Sequence, residues 1–220
     1  MAIDAFEMAL VHRTFRDELA NVPGLIRTVE AGDTHRAKVV SNHLANMTLL
    51  VHHHHAAEDD LLWPLLAART PVSAADVTRM RDEHDDVTAA MERVDAVRPV
   101  WAATANPARA EELIAGIEEL SARLGRHLTD EEECVVPLIN AHITIREWHA
   151  FLARGAAILA PGNVQFVLAF AGFVLKDASA DQRRRFLEGV PAGPRLLLRL
   201  IGPWAFKSYR AKVYGERAAP

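Results

Sequence analysis

The chain has 220 residues, half of them apolar and a quarter charged, with a formal net charge of −4. Such a composition suits a globular protein with one good core and an extension. It excludes a disulfide scaffold, because Cys134 is the single cysteine, and it gives no reason to expect a nucleic-acid partner.

Helical periodicity runs almost throughout and no alternating strand is convincing. A first helix is expected from Asp4 to about Asn21, where Pro23-Gly24 interrupts it and Leu25 to Glu30 adds a short turn. Thr34 is the expected N-cap of a second helix, from His35 to Leu66, which Pro64 kinks or ends. Ser73 to Asp76 reads as a capping box for a third helix to Val97, with Pro99 marking the exit. Asn106-Pro107 reads as an N-cap followed by proline at the first helical position, opening a fourth helix to Val136. Long helices joined by short loops predict an all-α, up-down-up-down four-helix bundle over residues 1–142.

Residues 143–220 are expected to form a helical C-terminal extension packed on the bundle. Thr144 to Glu147 is a second capping box, for a helix to Arg154. Pro161-Gly162 is a turn, Asn163 caps Val164 to Lys176, and Ser179 caps Asp181 to Glu188. Pro191 and Pro194 precede a last amphipathic stretch, Arg195 to Tyr214, with Trp204, Phe206, Tyr209 and Tyr214 as expected docking residues. Charge is uneven: residues 1–180 hold 16 Lys+Arg against 26 Asp+Glu, and residues 181–220 hold 9 against 3. A basic tail on an acidic body can dock on that body, on an anionic partner protein or on a membrane surface. The most apolar run, Val164 to Leu175, has twelve residues and is too short for a membrane span. Asp4 and Glu7 argue against a secretory leader. With the lone cysteine, this predicts a cytoplasmic protein with an aliphatic core, since only 6% of residues are aromatic.

The chain is organised around Val51 to Pro64, where four consecutive histidines precede Glu58, Asp59 and Asp60. On a helix, residues four apart share a face, so His54 aligns with Glu58 and His55 with Asp59. A second stretch selects between these pairs. His127 also precedes a glutamate, Glu131, by four residues and a proline, Pro137, by ten; the same spacings hold for His54, Glu58 and Pro64. Two further histidines lie on otherwise apolar stripes: His12 with Ala5, Met8, Phe15 and Leu19, and His84 with Val77, Met80, Val87 and Met91. The separations from His12 to His54 and from His84 to His127 are 42 and 43 residues, as if two helix pairs followed one plan.

One imidazole on an apolar stripe is ordinary. Four imidazoles and two carboxylates in one layer of a bundle need a cation or a dense polar network, because buried carboxylates are costly unless paired or metal-bound. Mixed imidazole and carboxylate donors suit iron, zinc or manganese better than calcium. Six donors exceed the four of a structural zinc and suit two ions with the glutamates bridging. The expected metal ligands are therefore His12, His54, Glu58, His84, His127 and Glu131. His55 is expected to be the next to join, through Asp59 or as a hydrogen-bonding partner, with replacement of His55 mostly sparing the metal. Glu83 and Asp130 are candidates to orient ligand imidazoles. His35, His43, His142 and His149 read as surface or structural, and Cys134 as a small core residue.

The order His12, His54-x-x-x-Glu58, His84, His127-x-x-x-Glu131 resembles the ligand series of the hemerythrin-like (HHE cation-binding) proteins. So do the prolines that follow each motif and the segment His12-Arg13-x-x-Arg16-x-x-Leu19. The resemblance covers about residues 4–140. It implies a bundle holding two iron ions in an oxo- or hydroxo-bridged centre, with dioxygen, peroxide or nitric oxide as the small ligand. It also leaves open an iron or oxygen sensor that signals through the extension, or a metal bundle without turnover. The chain departs from the oxygen-carrying hemerythrins in two places. They have His-x-x-x-His on the third helix, but Thr88 stands four residues beyond His84. Their fourth helix has His-x-x-x-x-Asp, but Glu131 follows His127 at four. This pattern is closer to some mycobacterial hemerythrin-like proteins and to iron-sensing HHE domains. A ferritin-like centre would require Glu-x-x-His, which the chain lacks.

Overall fold

The computed structural model describes residues 3–70, 74–156 and 164–215, and every regular element among them is helical. The chain divides into two compact units. One comprises Met1–Ala5 and Phe15–Gly155, and the other Phe6–Thr14 and Ala156–Pro220. The expected caps at Ser73 and Asn163 and the turn at Pro161-Gly162 lie outside the described residues.

The first unit is built on four long helices: α1 (Phe6–Arg27) from Phe15 onward, α2 (Thr34–Ala57), α4 (Ala74–Thr104) and α5 (Pro107–Cys134), with the short α3 (Trp63–Arg69) following α2. Their pairings give the order. Glu18 of α1 meets His43 of α2, whereas the earlier Phe15 meets the later His54. Arg98 of α4 reaches Ser41 of α2, while His84 stacks on His55. Arg93 pairs with Glu119, and Glu83 with His127. Arg16 pairs with Glu132, and Arg27 with Glu118, closing α5 on α1. Each pair is antiparallel, which is the up-down-up-down bundle.

Two prolines expected to stop helices do not. Pro23 lies inside α1, and Pro99 inside α4. A proline in a helix interior costs about 3 kcal/mol. Beyond Pro23 the helix buries Leu25 and Ile26, and beyond Pro99 it buries Trp101 and Ala102. Burying one large apolar side chain stabilises by about 1.5–3 kcal/mol, so the packing offsets the proline in both helices. Asp33, not Thr34, caps α2, its carboxylate accepting from the Arg36 N–H. Asn106 caps α5 as expected, accepting from the N–H groups of Ala108 and Arg109.

The two prolines that follow the His-x-x-x-Glu motifs have a shared solution. After α2, residues Glu58–Leu62 wind as a π-helical turn, in which the Trp63 N–H reaches back to the Glu58 carbonyl. Pro64 then falls in the first turn of α3, where no N–H is required. After α5 the chain turns at Val135, and Pro137 falls in the first turn of α6 (Val136–His142). Helix α7 (Ile145–Ala156) opens on the expected capping box: the Thr144 N–H donates to Glu147, and the Glu147 N–H to the Thr144 hydroxyl. Hydrogen bonds from Arg69 and from Thr144 hold the Glu147 carboxyl at a pKa of about 2. The core is less aliphatic than composition suggests, because Trp63, Trp101, Trp148 and Phe15 are among its largest fully buried side chains.

In the second unit, α8 (Val164–Leu175) packs against α11 (Gly202–Tyr214), with α9 (Ala180–Gly189) and α10 (Ala192–Leu200) between them in sequence. The approach of α8 to α11 requires a glycine. A Cβ at Gly172 would lie 2.5 Å from the Phe206 ring and 2.6 Å from the Phe206 Cβ. Phe173 meets Phe206 and Tyr209 edge-on, and Phe166 also contacts Tyr209. Leu10, Val174 and Ala178 form a small core flanked by Phe6, Phe170 and Phe186. Ser179 and Gln182 form the capping box of α9. The amphipathic stretch over 195–214 falls in two helices that meet at Ile201, because Pro203 has no N–H to continue the ladder. Trp204, expected as a docking residue, is 65% exposed. No helix among the described residues is long and apolar enough to cross a membrane.

Candidate metal centre

Each bundle helix turns an apolar stripe inward, and in one layer each stripe is interrupted by donors. On α1 Met8, His12, Phe15 and Leu19 are buried. On α2 and the π-turn the stripe is Met47, Val51, His55, Glu58 and Leu62. On α4 it is Met80, His84, Val87 and Met91, and on α5 Leu120, Leu124, His127, Leu128 and Glu131. Glu58 and Glu131 have no exposed surface at all.

The donors form two groups. His12, His54, Glu58 and Glu131 each offer an atom within 4.8 Å of the others. His55, His84 and His127 do the same. Glu58 joins the groups: its Oε1 lies 3.1 Å from His54 Nε2, and its Oε2 3.5 Å from His84 Nε2. Glu131 Oε2 lies 3.9 Å from His127 Nε2. All six residues expected from sequence are thus brought together in the bundle.

His55 is the residue that sequence reasoning undervalued. Its ring stacks on that of His84 at 4.0 Å and meets that of His127 at 4.9 Å. The signal was available in the helical wheel. At 100° per residue, Glu58 falls about 40° from His54 and about 60° from His55, so both histidines flank it. Asp59 does not carry His55 to the metal groups. It accepts from His84 Nδ1 at 3.2 Å and lies 3.8 Å from Arg81.

Two imidazoles of the second group, His84 and His127, have carboxylate partners on their far nitrogens. Glu83 Oε2 is 3.0 Å from His127 Nδ1, as Asp59 is from His84 at 3.2 Å. A proton on each Nδ1 would leave both Nε2 atoms as donors toward the cluster. Burial pushes the Glu83 pKa up, against the opposing pull of Arg79. Asp130 accepts from Arg79 rather than orienting an imidazole. These groups border a polar surface pocket lined by Glu83, Asp86, Arg123, Arg126, His127 and Asp130. At the other side, Phe15 and Phe151 pack on the His54 ring with centroids 5.5 and 6.1 Å away.

The fully buried Glu58 faces the Glu131 carboxyl and the His54 and His84 imidazoles and has no contact with solvent. Burial, then the Glu131 charge and a hydrogen bond shared with Glu131, then the Asp59 charge, raises the Glu58 pKa well above the ordinary carboxylate value. A carboxyl so placed takes up either a proton or a cation. Five imidazoles and two carboxylates around that point match the donors that transition-metal ions prefer. The remaining histidines stand apart. His52, His35, His142 and His149 are exposed, and His43 is buried against Glu18 at 3.4 Å. Cys134 is exposed rather than in the core. The buried stripe on α5 drifts through Leu128, Glu131 and Val135 and leaves Cys134 outside it. Glu132 pairs with Arg16.

The family model described as hemerythrin HHE cation binding domain matches residues 5–146. The chain belongs to this family. No curated protein and no solved structure matches it. The matched hemerythrin segment contains both donor groups, the two glutamates and His55, and it ends within α7. Family membership implies cation binding, and the buried layer, with His55 beside the expected donors, is a group that could hold the metal.

Proposed function

We propose that the hemerythrin bundle holds two iron ions and that the loaded protein binds, and turns over, dioxygen, peroxide or nitric oxide. The observation that carries this reading is the division of Glu58: one oxygen faces His54 and the other faces His84. A carboxylate shared between two imidazole groups suits a pair of cations better than a single one. Glu131 is the second shared carboxylate, between the His12 group and His127. When bound, the iron pair supplies electron transfer and Lewis-acid activation of a small oxygen- or nitrogen-containing ligand.

The chain's own residues define what reaches such a centre. Two imidazoles, His12 and His54, serve one side and three, His55, His84 and His127, the other. The side with fewer imidazoles is the one with room for an exogenous ligand. Phe15 and Phe151 beside His54 exclude water there and favour a small, weakly hydrated molecule. Asp59 and Glu83 hold protons on the Nδ1 atoms of His84 and His127 and fix those rings. Glu83, at the polar pocket, connects His127 to solvent protons.

The test is metal analysis with an optical spectrum of the purified protein, followed by peroxide-consumption and nitric-oxide assays on iron-loaded protein. About two irons per chain, near-ultraviolet bands from bridging oxygen, and ligand-dependent spectral change are expected. One zinc per chain and a featureless spectrum would overturn the reading.

A further inference from the structure

The apolar surface of α10 and the start of α11 is not covered. Leu196, Leu197, Leu200, Ile201 and Trp204 are all exposed, Leu200 by 70% and Trp204 by 65%. Outside this patch the exposed large apolar side chains among the described residues, Leu49, Val100 and Ile145, lie singly, and the three other tryptophans, Trp63, Trp101 and Trp148, are buried. Along α10, Leu196, Leu200 and Leu197 span about 100° of the helix, with Arg195 and Arg199 along one edge. Scattered exposed leucines are ordinary, but five large apolar residues in nine positions ending on a tryptophan form a patch.

Charge around the patch says what it fits. Residues 192–214 contain Arg195, Arg199, Lys207, Arg210 and Lys212 and no acidic residue. Residues 1–180 carry ten more acidic than basic groups, from 26 against 16. A short helix with an aliphatic and tryptophan face, basic edges and no carboxylates is the arrangement that lies in the headgroup region of an anionic bilayer. Tryptophan prefers that boundary because its ring is largely apolar and its N–H seeks a polar partner. A stable protein interface needs roughly 20–30 residues a side, more than this patch offers, whereas a lipid surface needs only the apolar face and the charge.

We propose that Leu196, Leu197, Leu200, Ile201 and Trp204, with the surrounding arginines and lysines, form a docking face for an anionic lipid surface. The apolar side chains enter the acyl boundary. Arg195, Arg199 and Lys207 meet the phosphates. The metal-binding bundle is held at the membrane without a spanning segment.

The experiment uses the full-length, metal-loaded protein, sedimented with vesicles of phosphatidylglycerol and phosphatidylcholine or of phosphatidylcholine alone. Binding to the anionic vesicles should exceed binding to the neutral ones by about tenfold or more, and should fall at about 0.5 M salt, where charges are screened within a few ångströms. Tryptophan emission should shift to the blue on binding, and Trp204→Ser should abolish that shift. Leu200→Glu and the pair Arg199→Glu with Lys207→Glu should each lower anionic binding about tenfold or more, with circular dichroism and metal content unchanged. If Leu200→Glu disturbs the helices, the charge-reversal pair and Trp204→Ser still decide the question. Failure to bind anionic vesicles, equal binding to neutral ones, or a concentration-dependent dimer abolished by Leu200→Glu would overturn the proposal.

Discussion

Removing the cation and replacing Glu58 by glutamine should act on the bundle in opposite directions at neutral pH. In the metal-free protein the Glu58 carboxyl is fully buried, and its pKa is raised by burial and by the Glu131 and Asp59 charges. In the unfolded chain it returns to about 4.3. The folded, metal-free protein therefore keeps a proton that the unfolded chain has released. The resulting stability is fully present below about pH 4.3 and is lost as pH rises through the raised folded value, by at most about 1.4 kcal/mol per pH unit. A cation replaces that proton. At a thousandfold excess over its Kd it stabilises the folded state by about 4 kcal/mol. For a chain of this size that is about 8–16 °C in unfolding midpoint. Glu58→Gln keeps the shape but removes both the titration and the shared carboxylate. The metal-free variant should lose the Glu58 part of the pH slope and melt above metal-free wild type at pH 8. Iron should raise its midpoint far less than it raises that of wild type. Thermal unfolding followed by circular dichroism between pH 5 and 8, with metal removal confirmed, measures all four states. Equal pH slopes for the two metal-free proteins, or a wild-type midpoint indifferent to chelation, would refute the reasoning.

Three further outcomes follow from the same geometry. His55→Ala should weaken metal retention about as strongly as His84→Ala, as read in a chelator competition; retention at the wild-type level would return His55 to a packing role. Asp59→Asn and Glu83→Gln should each lower metal affinity by about 10–100-fold with the helical content unchanged, because they free the His84 and His127 rings. Gly172→Ala should destabilise the α8–α11 pair by about 1–3 kcal/mol, seen as earlier proteolysis of the C-terminal segment, since the added methyl would overlap the Phe206 ring and Cβ.

Much of the site was legible because it repeats. The spacings His-x-x-x-Glu and ten residues to proline occur twice, and helical geometry turns equal spacing into equal facing. Six donors could therefore be named and are found in one layer, in groups within 4.8 Å. His55 was harder to read. The proline spacing selected the His54 register and so set aside His55, although both flank Glu58 on the helical wheel. In the bundle they serve different neighbours, His54 toward the Glu58 Oε1 and His55 toward His84. Asp59 likewise found its partner on another helix, which no spacing within α2 reveals.

Local chemistry was sufficient where a side chain bonds its own backbone: Asn106, Thr144 and Ser179 cap as their sequences require. It was insufficient where a proline had to be weighed against burial. Pro23 and Pro99 were read as ends, yet the helices continue because Leu25, Ile26 and Trp101 are buried beyond them. The same limit applies to Cys134, assigned to the core from helical phase, and to Trp204, expected as a docking residue of the extension; both are exposed. Spacing along the chain settles which residues share a helix face, since that depends only on 3.6 residues per turn. Which faces are covered, and which carboxylate meets which imidazole, depends on contacts between helices distant in sequence, and only the packed bundle decides those.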